Sequence, residues 1–233
     1  MASASSATPH PITLAVGDAQ RVSGLLQAPP GARACYVLAH GAGAGMTHPF
    51  MGAISNELAA RGVATLRYQF PYMENAGRRP DPPRIAHAAV RAAVAEAARL
   101  LPQAALIAGG KSFGGRMTSQ AQASAALPGV RGIAFLGFPL HPADQPSSSR
   151  AEHLAQIALP MLFLQGTRDE LADLQLIRAL AGALGSRATL ELFDDADHSF
   201  HVRKSSGSTD AQVIAGMADS IAAWIDAKVM AAG

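Results

Sequence analysis

The sequence predicts an α/β fold with a mostly parallel central sheet and helices on both faces. Two observations predict it. Short apolar runs without period-two alternation, such as Cys35–Ala39 and Ala105–Ala108, suit strands covered on both sides. These runs alternate with stretches of helical length, the order that a parallel sheet with crossover helices requires. With 233 residues the chain is long enough for one domain with a substantial core.

Residues 1–11, rich in Ser, Ala and Pro, are expected to form a flexible tail, and residues 12–233 the single domain. The tail lacks the basic start and apolar middle of a secretory signal. Ile12–Val16 and Arg21–Gln27 read as short strands with Gly17-Asp18 as the turn between them. Cys35–Ala39 is the next strand and runs into His40-Gly41-Ala42-Gly43-Ala44-Gly45, a loop whose N–H groups are free to face a ligand. Pro49–Arg61 reads as a helix with Gly62 at its end, and Val63–Arg67 as a strand. Gln69–Pro83 is a long loop punctuated by prolines and carrying Phe70, Tyr72 and Met73. Ile85–Leu101 is an Ala-rich helix closed by Pro102. The strand Ala105–Ala108 and a helix over Arg116–Ala126 bracket a Gly-rich turn. Val130–Leu136 is a strand, followed by Gly137-Phe138-Pro139 and a Ser/Pro-rich loop, with Glu152–Ile157 as a helical turn. Met161–Gln165 and Thr189–Phe193 are the last strands, separated by a helix over Ala172–Leu184. Ser208 or Thr209 caps a final amphipathic helix reaching about Met230. The stretch between Val130–Leu136 and Met161 is too short for a large cap domain.

Composition narrows the function. Hydrophobic residues make up 49% and charged residues 15%, with a net charge of +2, and no basic block is interleaved with aromatics. Nucleic acid is therefore not an expected partner. No run of 18 apolar residues suggests a membrane span. A cytoplasmic monomer or homodimer acting on a small molecule is the expectation. Cys35, the single cysteine, excludes an intramolecular disulfide and reads as a buried core residue. No C-x-x-C or H-E-x-x-H spacing suggests a metal, and no cofactor is expected.

The chemistry gathers at strand ends, where open α/β sheets bind ligands. Gly110-Lys111-Ser112-Phe113-Gly114 fits G-x-S-x-G at a strand-to-helix turn, the nucleophile elbow. Gly110-Lys111-Ser112 could also close a phosphate-binding P-loop, but that pattern needs Gly where this chain has Ala105. Asp169 follows the strand Met161–Gln165, and His198 follows the strand Thr189–Phe193. A serine hydroxyl is a weak nucleophile and needs an adjacent base, itself oriented by an acid. Glu170 and Asp173 are alternative acids, and His201 is an alternative base. Lys111 and Arg116 flank the serine; they read as ion pairs fixing the elbow or as recognition of an acidic substrate.

The motifs His40-Gly41-Ala42, Gly110–Arg116, Gly166-Thr167-Arg168-Asp169 and Asp197-His198-Ser199-Phe200 resemble those of the α/β-hydrolase superfamily. The chain looks most like the small lidless branch labelled dienelactone-hydrolase-like. Dienelactone hydrolases use Cys as nucleophile, whereas this chain has Ser112, which favours a general ester hydrolase. The resemblance implies an α/β-hydrolase fold and a carboxylic ester or thioester hydrolase; the lack of a lid insertion in Gly137–Pro160 predicts short acyl groups. It assigns Ser112, Asp169 and His198 as catalytic residues and the N–H groups of Phe113 and Ala42 or Gly43 as the oxyanion hole. His40, Phe70, Tyr72, Lys111, Arg116 and Phe138 are the candidates for lining the substrate, with His40 equally suited to shaping its loop. A catalytically silent interaction module of the same fold is the alternative.

Overall fold

The computed structural model describes residues 7–17 and 20–231. Eight strands form one sheet: β1 (His10–Val16), β2 (Gln20–Gln27), β3 (Ala34–Ala39), β4 (Val63–Tyr68), β5 (Ala105–Lys111), β6 (Val130–Leu136), β7 (Met161–Gly166) and β8 (Ala188–Phe193). Their order across the sheet is β1-β2-β4-β3-β5-β6-β7-β8. The pairs β1–β2 and β2–β4 are antiparallel, and all others are parallel. The antiparallel hairpin therefore extends one edge of a parallel sheet, and half-buried β8 forms the other.

Six α-helices cover the sheet: α1 (Pro49–Ala60), α2 (Pro71–Glu74), α3 (Pro83–Leu100), α4 (Phe113–Ser124), α5 (Leu174–Leu184) and α6 (Asp210–Trp224). Strand alternation divides the core between the two faces. Cys35, Val37 and Ala39 of β3 join the cluster under α3 and α4, whereas Ala34, Tyr36 and Leu38 join the one under α1 and α6. That is why the run has no polar position: both of its faces are covered. A third cluster packs Phe135, Phe138 and Phe163 under α5 and the 3₁₀ segment Ser149–Gln156. That segment is the only helical insertion between β6 and β7, so no cap domain covers the strand ends.

Several boundaries differ from the sequence reading for local reasons. Strand β1 starts at His10, so His10 and Pro11 belong to the sheet and not to the tail; residues 1–6 and Asp18 lie outside the described residues. The loop Gln69–Pro83 contains α2, a single turn started by Pro71. Helix α3 begins at Pro83, where a missing N–H costs nothing. Helix α5 begins two residues later than expected because the Asp173 carboxylate accepts from Gln175 and Leu176 N–H. Thr209, not Ser208, caps α6 through a reciprocal pairing with Gln212. Beyond Trp224 the chain continues as a π-helical turn, Ile225–Met230. Among the described residues no helix is long and apolar enough to cross a membrane.

Gly132 in β6 explains how this C-terminal segment lies on the sheet. A Cβ there would stand 2.6 Å from the Trp224 ring and 3.2 Å from Val229. We predict that Gly132→Val pushes the end of α6 off the sheet and destabilises the protein by about 1–3 kcal/mol, the usual cost of overpacking. Urea unfolding of the variant checks this; an unchanged midpoint would mean that the C-terminal turn bears no load.

Candidate active site

Ser112 lies between β5 and α4 with φ 49° and ψ −114°, a strained backbone for a residue with a side chain. Its neighbours make the turn possible. A Cβ on Gly110 would stand 2.2 Å from the Ala39 carbonyl oxygen, and one on Gly114 2.6 Å from that of His40. The nucleophile turn thus rests backbone against backbone on the end of β3, and only glycine fits there. The turn projects Ser112 into a cleft of about 370 Å³ that Ala42, Phe113, Arg116, Met117, Pro139 and Arg150 help to line.

Two loops bring the partners. Helix α4 and the parallel strands set the ends of β5, β7 and β8 along one edge. His198, beyond β8, lies with Nε2 2.9 Å from Ser112 Oγ and Nδ1 2.7 Å from Asp169 Oδ2. With a carboxylate at Nδ1, the neutral ring carries its proton there and leaves Nε2 to accept the serine O–H. The Asp169 side chain is fully buried. Its Oδ1 accepts from Leu171 N–H at 2.8 Å and its Oδ2 from the Gln165 amide at 2.5 Å. Gln165 in turn accepts from Phe138 N–H. Gln165 is a functional neighbour the sequence reading did not identify, since an amide at a strand end belongs to no motif.

The loop carrying His198 is held by several contacts. Asp197 Oδ1 accepts from Ser199 and His201 N–H. Buried Phe200 takes φ 65°, unusual for a bulky residue, and stacks on Phe50. Lys111 donates to the His198 carbonyl oxygen at 2.5 Å and its ammonium stands 5.4 Å above the Phe200 ring. Burial lowers the Lys111 pKa to about 8, against the opposing pull of Asp169 and Asp197. Lys111 is therefore not a substrate-lining residue: it ties the nucleophile strand to the loop of His198.

Other expected lining residues are also displaced. Phe70 and Phe138 are fully buried in separate core clusters, Phe70 against Tyr68 and Phe113, Phe138 against Phe135 and Phe163. His40 is buried too: Nε2 accepts from Phe70 N–H, so Nδ1 carries the proton and donates to the Gly41 carbonyl. The Tyr72 hydroxyl accepts from Gly43 N–H at 3.0 Å. That bond occupies Gly43 as an oxyanion donor and makes Tyr72 a brace of the loop. Among the described residues the N–H groups of Ala42 and Phe113 have no protein acceptor, and both residues line the cleft. Arg116 does reach the cleft.

The alternative acids and base stand elsewhere. His201 is exposed and paired with Asp210, Glu170 is exposed, and Asp173 caps α5. A second serine–histidine contact, His153 Nε2 to Ser119 Oγ at 2.8 Å, lies in the flank of α4. Ser119 is fully buried and its hydroxyl donates to Arg116 O, so no carbonyl substrate can reach it. Burial, then the charges of Arg116 and His87, lower the His153 pKa to about 4. Among the described residues no group of three His, Cys, Asp or Glu could hold a metal ion.

Comparison with known proteins agrees with this fold. A family model described as an alpha/beta hydrolase domain matches residues 32–226. A dienelactone hydrolase from Anabaena variabilis superposes with a TM-score of 0.75 at 18% identity, over 97% of this chain and 100% of that one. A serine hydrolase without a lid from Xanthomonas campestris gives 0.70 at 18% identity, covering 94% of each chain. An esterase from Pyrococcus furiosus gives 0.73 at 14% identity, over 96% of this chain and 94% of its own. At these identities the likeness is one of fold.

Buried His40 has a consequence for acid stability. Burial lowers its pKa from 6.5 to about 4, overriding the bond to Gly41 that raises it. Between these values the unfolded chain takes up a proton that the folded one refuses. Stability therefore falls as pH drops from about 6.5 to 4, by about 3 kcal/mol from this group. Urea unfolding at pH 7 and pH 4 measures the loss. A flat profile over that window would show that His40 accepts a proton in the folded state.

Proposed function

The chain belongs to the alpha/beta hydrolase domain family, and from that premise we propose that it cleaves short-acyl carboxylic esters or thioesters through an acyl-enzyme on Ser112. One observation carries the reading: the unbroken line from Asp169 through His198 to Ser112 Oγ at 2.7 and 2.9 Å, beside two unused backbone N–H groups. Ser112 Oγ attacks the acyl carbon while His198 Nε2 takes its proton. Asp169, held by Gln165 and Leu171, orients the ring and stabilises the imidazolium. The oxygen of the tetrahedral intermediate becomes negative and lies against Ala42 and Phe113 N–H. One such donor accelerates the reaction by about 10²–10³ in kcat. His198 then hands its proton to the departing alkoxide or thiolate. Water enters, gives a proton to His198 and attacks the acyl-enzyme; the carboxylic acid leaves and Ser112 regains its hydrogen. Every proton is carried by His198, so the reaction as proposed draws on protein groups and water alone.

The size of the cleft supports short acyl groups. About 370 Å³ is near the lower end for small-molecule sites, and no cap extends it. Methylenes beyond the cleft stay in water and add none of the roughly 0.8 kcal/mol that each gains when buried. Activity toward p-nitrophenyl esters should peak between acetate and butyrate and fall toward octanoate; a maximum at C8 or longer would contradict this. Ser112→Ala and His198→Ala should each lower kcat by several orders of magnitude, up to about a million-fold, with the fold retained by circular dichroism. His201→Ala should stay within twofold of the parent. If Ser112→Ala keeps a tenth of the activity, another residue is the nucleophile.

A further inference from the structure

Arg116 and Arg150 face the cleft from two different elements. Arg116 lies one turn into α4 beyond Ser112, and Arg150 lies in the 3₁₀ segment Ser149–Gln156; both line the cleft that holds Ser112. Among the described residues neither has a carboxylate within ion-pair distance. Arg116 Nε is buried and has no hydrogen-bond acceptor. Arg67 also has a buried Nε without an acceptor, but it lies outside the cleft and donates to the Met46 carbonyl. Arg33, Arg61 and Arg168 each meet a carboxylate, and Arg91 and Arg187 donate to backbone carbonyls. The Asp81 carboxylate also lines the cleft, but it accepts from Tyr72 N–H and is outside the reach of both guanidinium groups.

The surroundings hold this arrangement in place. Ser119 bonds the Arg116 carbonyl and is itself held by His153, which fixes this turn of α4. Burial first, and the Arg150 charge second, lower the Arg116 pKa. A buried donor without an acceptor and two like charges facing one space are both unfavourable in the empty protein. An anion in the cleft offsets the repulsion between the two charges, and a guanidinium fork suits the paired oxygens of carboxylate and phosphate.

We propose that Arg116 and Arg150 form an anion-recognition site, so that the ester presented to Ser112 carries an acidic group, a carboxylate or phosphate, within the same cleft. The proposal rests on the reading of Ser112 as nucleophile and narrows it to acidic esters.

Three matched pairs of substrates test it. The acyl-borne pair is mono-p-nitrophenyl adipate and its methyl ester. The alcohol-borne pair is 4-acetoxybenzoate and its methyl ester. The phosphate pair is 4-acetoxyphenyl phosphate and phenyl acetate. In at least one pair the anionic member should have a kcat/KM roughly tenfold or more above its neutral partner, the scale of a charge-assisted hydrogen bond. That ratio should fall toward one in Arg116→Gln and in Arg150→Gln. Arg150 lies in a short surface turn, so its variant keeps the test decisive where Arg116→Gln fails to fold. Ratios at or below one in all three pairs, with the neutral esters cleaved, overturn the anion site and leave the esterase reading intact. Cleavage of no ester at all overturns the esterase reading. Thermal shift with adipate and with inorganic phosphate then decides the site alone: stabilisation lost in Arg150→Gln upholds it, and no stabilisation of the parent protein overturns it.

Discussion

The contact on which the site depends is one of main chain on main chain, where the end of β5 and the first turn of α4 press on the end of β3. Gly110 lies against Ala39 and Gly114 against His40, at separations that leave no space for a methyl group. This proximity does three things at once. It bends the chain so sharply that Ser112 is held at positive φ, with the hydroxyl lifted clear of the sheet. It brings Phe113 beside the loop after β3, so that Phe113 and Ala42 line the same cleft. And it fixes the height of α4 above the sheet, so that Arg116 opens into the same space. Strain at Ser112, of order 1–3 kcal/mol, is tolerated because the flanking helix and strand over-determine the turn.

Most of the architecture was legible because it rests on local rules. The strands announced themselves as unbroken apolar runs, and the order of Ser112, Asp169 and His198 matched the order of strand ends in a doubly covered sheet. What sequence could not convey was the direction in which a side chain points off an irregular segment. Phe70 and Phe138 sit in loops beside the site, and an aromatic there reads as a wall; both turn inward, because three packed phenyl groups bury more apolar area than an open cleft does. Gly43 was a fair oxyanion candidate until Tyr72, almost thirty residues on, proved to occupy its N–H. Gln165 and Arg150 escaped notice for a related reason. An amide that supports a carboxylate and an arginine in a Ser/Pro-rich stretch carry no spacing signature, and only proximity in space reveals them.

The two sides of the cleft solve the problem of buried charge differently. Asp169 is a carboxylate removed from solvent, and it is satisfied by three donors: the His198 ring, the Gln165 amide and a backbone N–H. Burial of that kind is stable because both carboxylate oxygens accept hydrogen bonds. Lys111 is satisfied by a carbonyl and an aromatic face. Arg116 and Arg150, which line the other side, have no carboxylate partner among the described residues. On the proposed reading, the fully held Asp169–His198 side carries out the chemistry and the arginine side selects the substrate.

The position of His198 has a bearing on how the protein wears out. Its loop springs from β8, which is half-buried and pairs with β7 alone, whereas Ser112 stands beside the fully buried centre of the sheet. Edge elements of this kind detach at lower free-energy cost than the body of a domain. On the proposed reading, warming should part His198 from Ser112 while the central strands remain paired, so that hydrolytic capacity fades before the far-ultraviolet spectrum changes. The working life of such a site would then follow the adhesion of one peripheral strand and not the melting of the domain.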